Sequence, residues 1–164
     1  MTRLFLAVWP PADVVDQIAA LPRPDEPGVR WTRRDQWHIT LRFLGNAEAD
    51  DVITAVAPRT GVDPVEVALG PAVSRLGRSV ICLPAAGLDA LAAGLTEQTA
   101  EVGEPPDPRP FSGHLTLARL RHRGVCGLAG ERFSVDFVAD EVTLVSSTTR
   151  SEGPEYEILH RWPV

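Results

Sequence analysis

His38-Ile39-Thr40-Leu41-Arg42-Phe43-Leu44 and His114-Leu115-Thr116-Leu117-Ala118-Arg119-Leu120 are two copies of one pattern, identical at four of seven positions, with Ile39 and Leu115 a conservative fifth. The chain has only four histidines, and these two carry threonine two residues on and leucine three on. Both copies favour strand, and side chains along a strand alternate between faces. His38 and Thr40 therefore point one way and Ile39 and Leu41 the other; His114 and Thr116 oppose Leu115 and Leu117 in the same way. Each strand offers a polar pair on one face and an apolar anchor on the other. The copies lie 76 residues apart (114 − 38), nearly half of a 164-residue chain, as in a duplicated protein with two lobes. Lobes that face each other bring two histidines and two threonines to one cleft.

Outward from the motifs, the chain reads as strands with a few short helices. Leu4 to Val8 is an apolar run stopped by Pro10-Pro11, a buried strand. Val14, Val15, Ile18 and Leu21 recur at helical spacing and end before Pro22; the proline-rich 22–28 stretch is a loop. The first motif predicts a strand over Trp37 to Leu44, followed by a Gly45-Asn46 turn and a helix from Asp50 to Ala57. Val65 to Leu69 and Ser79 to Leu83 are expected to pair as a hairpin about Gly77-Arg78. Leu88, Leu91, Ala92 and Leu95 mark a third helix, and Gly103 to Pro110 a second proline-rich loop. Further strands are predicted over His114 to Leu120, Ser134 to Phe137, Glu141 to Ser146 and Tyr156 to Trp162. Strands outnumbering helices and joined by short turns fit an α+β protein better than a doubly wound one.

Composition narrows the function. A chain of this length suits one domain, here expected to be a single bilobal unit over residues 1–164. No apolar run approaches a membrane span or a signal peptide, so a cytoplasmic protein with no membrane association is expected. The net charge of −6 argues against a protein that coats nucleic acid but leaves room to grip one phosphate. All sixteen basic residues are arginine, whose planar fork suits bidentate phosphate contact, and the lack of lysine removes any Schiff-base chemistry. Cys82 and Cys126 stand apart and read as ordinary semi-buried thiols. No Gly-rich phosphate loop is present. His122, within Arg119-Arg121-His122-Arg123, reads as part of a solvated basic loop.

Paired histidines suit phosphodiester chemistry without a metal. In-line displacement at phosphorus needs a base for the attacking water and, opposite, an acid for the leaving sugar oxygen; two histidines fill both roles near neutral pH. Thr40 and Thr116 can donate to non-bridging oxygens. Strict alternation puts Arg42 on the His38 face as a phosphate clamp. Arg119 is out of phase by one and needs a bulge to reach the cleft. Phe5 and Trp37 are candidates to stack a nucleobase.

The two motifs, with Arg3-Leu4-Phe5-Leu6-Ala7-Val8, Phe111-Ser112-Gly113 ahead of the second histidine and Gly153-Pro154-Glu155-Tyr156-Glu157, resemble the two-histidine (2H) phosphoesterases, nearest to RNA 2′,3′-cyclic phosphodiesterases, also called 2′-5′ RNA ligases. The resemblance runs from residue 3 to the C-terminus. It implies a bilobal α+β fold with a pseudo-twofold axis, two antiparallel sheets facing a central cleft and helices outside. It implies opening of a 2′,3′-cyclic phosphate, on an RNA 3′ end or a small cyclic nucleotide, to a 2′-phosphate, with His38 as proton donor and His114 as acceptor. Reversible 2′-5′ ligation is the same chemistry run backwards. No cofactor or metal is implied, and a monomer is expected. Gly113 stands where the family commonly has proline, which is expected to loosen the approach to His114. Two other readings stay open: a zinc hydrolase, which lacks H-x-x-x-H or H-x-H spacing, and a non-catalytic module that captures an RNA end by its terminal phosphate.

Overall fold

Strand β1 (Arg3–Val8) is apolar at every position after Arg3, a composition that needs cover on both faces. In the computed structural model, which describes residues 3–57, 63–121 and 124–164, it receives that cover. Leu4, Leu6 and Val8 enter the main core, while Phe5 and Ala7 point to the opposite face beside Val145, with Trp9 and Tyr156 packed against them.

Pro10-Pro11 ends β1 and launches helix α1 (Ala12–Ala19), which buries Val14 and Ile18. Strand β2 (Val29–Trp31) and a single 3-10 turn (Arg34–Gln36) lead into β3 (Ile39–Gly45), the first motif strand. Then come α2 (Ala49–Ala55), β4 (Val65–Leu69), β5 (Ser74–Leu76), β6 (Val80–Ala86) and α3 (Asp89–Gln98). The second motif strand is β7 (His114–Leu120), followed by β8 (Val135–Ala139), β9 (Glu141–Arg150) and β10 (Gly153–Pro163). This is an α+β architecture.

The strands lie in the order β10-β9-β1-β3-β7-β6-β4-β8, with β2 added to β7 and β5 to β6, and every pairing is antiparallel. The halves meet where β3 pairs with β7, at the single register pair Ile39↔Leu115. Those are the equivalent residues of the two motifs. Counting outward from that pair in antiparallel sense sets Thr40 across from His114 and Thr116 across from His38. A local twofold between the motifs therefore passes between Ile39 and Leu115.

The expected hairpin is redistributed. The strand β5, too short for its periodicity to be read, forms the tight turn with β6 about Gly77-Arg78. Strand β4 instead meets the far end of β6, through Ala68↔Ala86 and Leu69↔Ala85, and β8 on its other edge. Strand β2, which directly follows the 22–28 loop in a stretch for which no element was expected, pairs with β7.

Candidate active site

Both motif strands carry a bulge at the same motif position. Between β1 and β3 the partners run Leu6↔Arg42 and then Ala7↔Thr40, so Leu41 is the extra residue. Between β6 and β7 they run Ile81↔Ala118 and then Cys82↔Thr116, so Leu117 is extra. One inserted residue reverses the facing of everything after it. The bulge in β7 is held by Thr32, whose backbone N–H and Oγ1 donate to the Leu117 carbonyl at 2.9 Å, with Oγ1 also 2.9 Å from the Thr116 carbonyl. Trp37 Nε1 donates in turn to Thr32 Oγ1 at 2.9 Å.

Arg119 thereby reaches the cleft, by the bulge it was expected to need. The equivalent bulge in β3 overturns the expectation for Arg42. That side chain is 5% exposed, and its guanidinium donates to the Glu104 carbonyl (2.6 Å), the Phe43 carbonyl (2.8 Å) and Thr99 Oγ1 (3.3 Å), tying β3 to α3 and the proline-rich loop. Burial lowers its pKa from the ordinary arginine value. Its place in the cleft is taken by Phe43, 42% exposed, which strict alternation had turned away.

A cavity of about 570 Å³ brings together His38, Thr40, His114, Thr116, Arg119 and Phe5. The two histidines are tethered alike. His38 Nδ1 lies 2.7 Å from the Gln36 carbonyl and His114 Nδ1 lies 2.8 Å from the Ser112 carbonyl, each two residues back. A carbonyl only accepts, so Nδ1 carries the proton in both rings and Nε2 is left to the cavity. His38 Nε2 also meets Thr40 Oγ1 at 3.0 Å.

Their surroundings differ. The His38 ring stacks on Phe5 at 4.8 Å, has Trp9 at 5.2 Å and meets Tyr156 edge-on at 5.1 Å. Desolvation in this aromatic box, helped by the nearby guanidinium of Arg119, outweighs the Gln36 hydrogen bond and holds His38 down to about 4. The free cleft therefore holds His38 neutral at pH 7. Phe5, 4% exposed, is committed to His38 and is no open platform for a base. Trp37, 2% exposed, belongs to the core. Burial raises the Tyr156 phenol above its ordinary value.

Gly113 does not loosen the approach to His114. The Ala85 N–H donates to its carbonyl at 2.8 Å, and a Cβ built on it would sit 2.5 Å from the Ala85 carbonyl oxygen. The β6 backbone comes too close there for any side chain without a shift. His160 meets Trp162 edge-on at 4.5 Å and does not line the cavity; His122 lies outside the described residues.

Besides Phe43 and Arg3, three segments had no site role in the sequence reading: the β2 edge with Arg30, the Arg34–Gln36 turn with Arg33 before it, and the β9–β10 turn with Arg150 and Gly153. Among the described residues, five arginines (3, 30, 33, 119 and 150) line the cavity against one carboxylate, Glu152. Arg33 and Arg150 pair with Asp35 and Glu155 at 3.1 and 3.2 Å. Among the described residues, Arg3, Arg30 and Arg119 have no carboxylate within ion-pair distance.

Known proteins share this arrangement of strands. Residues 8–73 match the family model described as LigT-like phosphoesterase. E. coli LigT, solved in complex with 3′-AMP, is 30% identical, with 99% of this chain and 98% of that one covered and a TM-score of 0.79. A Thermus thermophilus structure is 26% identical over 98% of this chain and 97% of its own, with a TM-score of 0.82. An RNA 2′,3′-cyclic phosphodiesterase of Methanocaldococcus jannaschii is 23% identical over 98% of this chain and 99% of its own.

Proposed function

Because this chain belongs to the LigT-like phosphoesterases, within the two-histidine family, we propose that it hydrolyses 2′,3′-cyclic phosphates at RNA 3′ ends to 2′-phosphates. What carries the reading is the matched tethering of His38 and His114, each with Nδ1–H on a carbonyl two residues back and Nε2 left to one arginine-lined cavity.

In the proposed reaction, His114 Nε2 takes a proton from water as the water oxygen attacks phosphorus. The bond from phosphorus to the 3′-oxygen breaks, and His38 gives that oxygen its proton. The products are a 3′-hydroxyl and a 2′-phosphate. Thr40, Thr116 and Arg119 meet the non-bridging oxygens, where donors set in place before the reaction stabilise the growing charge. His38 acquires its proton with substrate: the empty cleft disfavours charge there, and an entering phosphate anion reverses the sign of the local field. Phe43, in van der Waals reach of the cavity, offers an open ring face on which a terminal base can stack.

The test is turnover of the four nucleoside 2′,3′-cyclic phosphates and a short cyclic-ended RNA in excess chelator, with the product isomer identified. Release of 2′-phosphates is the expected result. Tight binding without turnover would leave only an RNA-end capture module, and 3′-phosphate product would reverse the assignment of the leaving oxygen.

A further inference from the structure

Arg30 on β2 and Arg119 on β7 are direct partners across an antiparallel pair, so their side chains share a face. Like charges set opposite one another oppose pairing, and neither guanidinium has a carboxylate within ion-pair distance among the described residues. Arg119 lies close enough to His38 to depress its charging and belongs to the terminal-phosphate site. Arg30 faces two ways: it lines the catalytic cavity and also an adjoining open depression of about 450 Å³ formed with Gly28, Val29, Arg121 and Ser151.

That depression is built from backbone. The Arg121 N–H donates to the Gly28 carbonyl at 2.7 Å, and Gly28 has φ +76°, with its missing Cβ only 2.7 Å from the Arg121 carbonyl oxygen. Only glycine lets the two segments lie so close, and their closeness sets Arg121 beside Arg30. Among the described residues no carboxylate lines the depression, on a chain whose net charge is −6. Arg119 in the cavity and Arg121 in the depression thus lie in sequence along one path that continues the cleft outward.

We propose that Arg30 and Arg121, with the Ser151 hydroxyl, bind the backbone phosphates of the nucleotides that precede the cyclic end. The preferred substrate is then an RNA strand of two or three nucleotides or more, its gain from length saturating once both arginines are engaged. This rests on the cyclic-phosphate reading above. Two exposed arginines give a single strand a salt slope of about −0.7 per phosphate contacted, so the preference for a longer end shrinks about sevenfold when salt rises fourfold.

The experiment compares kcat/KM for cytidine 2′,3′-cyclic phosphate and for a cyclic-ended trinucleotide, in wild type, Arg30→Ala, Arg121→Ala, the double variant and the Arg→Lys pair, at two salt concentrations. Thermal melts identify any variant that fails to fold. The expected result is a trinucleotide preference of about sevenfold or more at low salt, lowered stepwise by each alanine through the trinucleotide KM and partly retained by lysine. Equal kcat/KM for the two substrates in wild type, or a preference that survives the double variant, overturns the proposal. If neither substrate turns over, the reaction assignment has failed, and calorimetry with 2′-phosphate-ended mono- and trinucleotides still decides the groove. There, affinity independent of length or of the two arginines overturns it.

Discussion

The two motif halves share a backbone and differ in what surrounds it. Each has a histidine with Nδ1 on the i−2 carbonyl, a threonine opposite the other half's histidine, and a bulge three residues after the histidine. Yet His38 sits against Phe5, Trp9 and Tyr156, while His114, half-buried at the start of β7, has no aromatic ring packed on it among the described residues. Five residues after each histidine, the first half presents Phe43 and the second Arg119. Duplication explains the symmetric frame. The flanking side chains then divide the work: an apolar half that shields one histidine and offers a ring, and a cationic half that holds charge.

The largest effects should fall where the halves are alike. His38→Ala and His114→Ala are each expected to lower turnover by about 10²–10⁴-fold with folding intact, the range for a positioned acid or base. Either variant within threefold of wild type would remove that histidine from the mechanism. The double variant separates shared from independent action, because residues that act as a unit are not additive.

Next comes the contrast between the arginines on either side of the bulges. Arg119→Ala should cost about 10²-fold in kcat/KM, as expected of a donor to developing charge. Arg42→Met should leave carbonyls of Thr99 and Glu104 unpartnered and lower stability by about 2–3 kcal/mol. Urea midpoints beside initial rates decide it. A rate loss at Arg42 with unchanged stability would return it to the cleft.

The enclosure of His38 also makes folding sensitive to acid in a defined window. Above pH 6.5 neither folded nor unfolded chain protonates this ring. Between 6.5 and about 4 the unfolded chain binds a proton that the native box refuses, so stability falls as pH falls; below about 4 this contribution changes no further. A shift of this size corresponds to about 3 kcal/mol. The difference between wild type and His38→Gln in urea unfolding at pH 7 and pH 4.5 isolates it from the carboxylates. A difference that does not vary with pH would place the His38 ring in water.

Much of this comparison was legible in the sequence, and one cause accounts for most of what was not. The strands β1, β3 and β7 announce themselves by apolar runs and alternation, and the repeated histidines gave the duplication. A period of two carries no mark of where a residue is inserted, so the bulge at Leu41 was invisible and Arg42 was placed on the wrong face; the same counting showed that Arg119 needed a bulge. Strand β2 escaped because three residues are too few for periodicity beside a proline-rich loop. The signal was there in Val29-Arg30-Trp31, two strand-formers flanking an arginine. The β9–β10 turn reaches the cavity through pairing distant in sequence, which no local pattern reports.

The smallest expected effect tests the other side of the asymmetry. Phe43 holds the position related by the local twofold to Arg119, and its ring is half open to the cavity. If the apolar half serves the base and the cationic half the phosphate, Phe43→Ala should raise KM for a nucleoside 2′,3′-cyclic phosphate about tenfold with little change in kcat, since stacking on one aromatic ring contributes about 1–3 kcal/mol per base. Phe43→Trp should keep or improve KM, because any broad ring face serves. Inhibition by inorganic phosphate, which has no base, should be nearly the same in Phe43→Ala and in wild type. A variant that binds phosphate as poorly as it binds nucleotide would show that the ring shapes the anion site itself, and the division between the two halves would fail at the position where their side chains differ most.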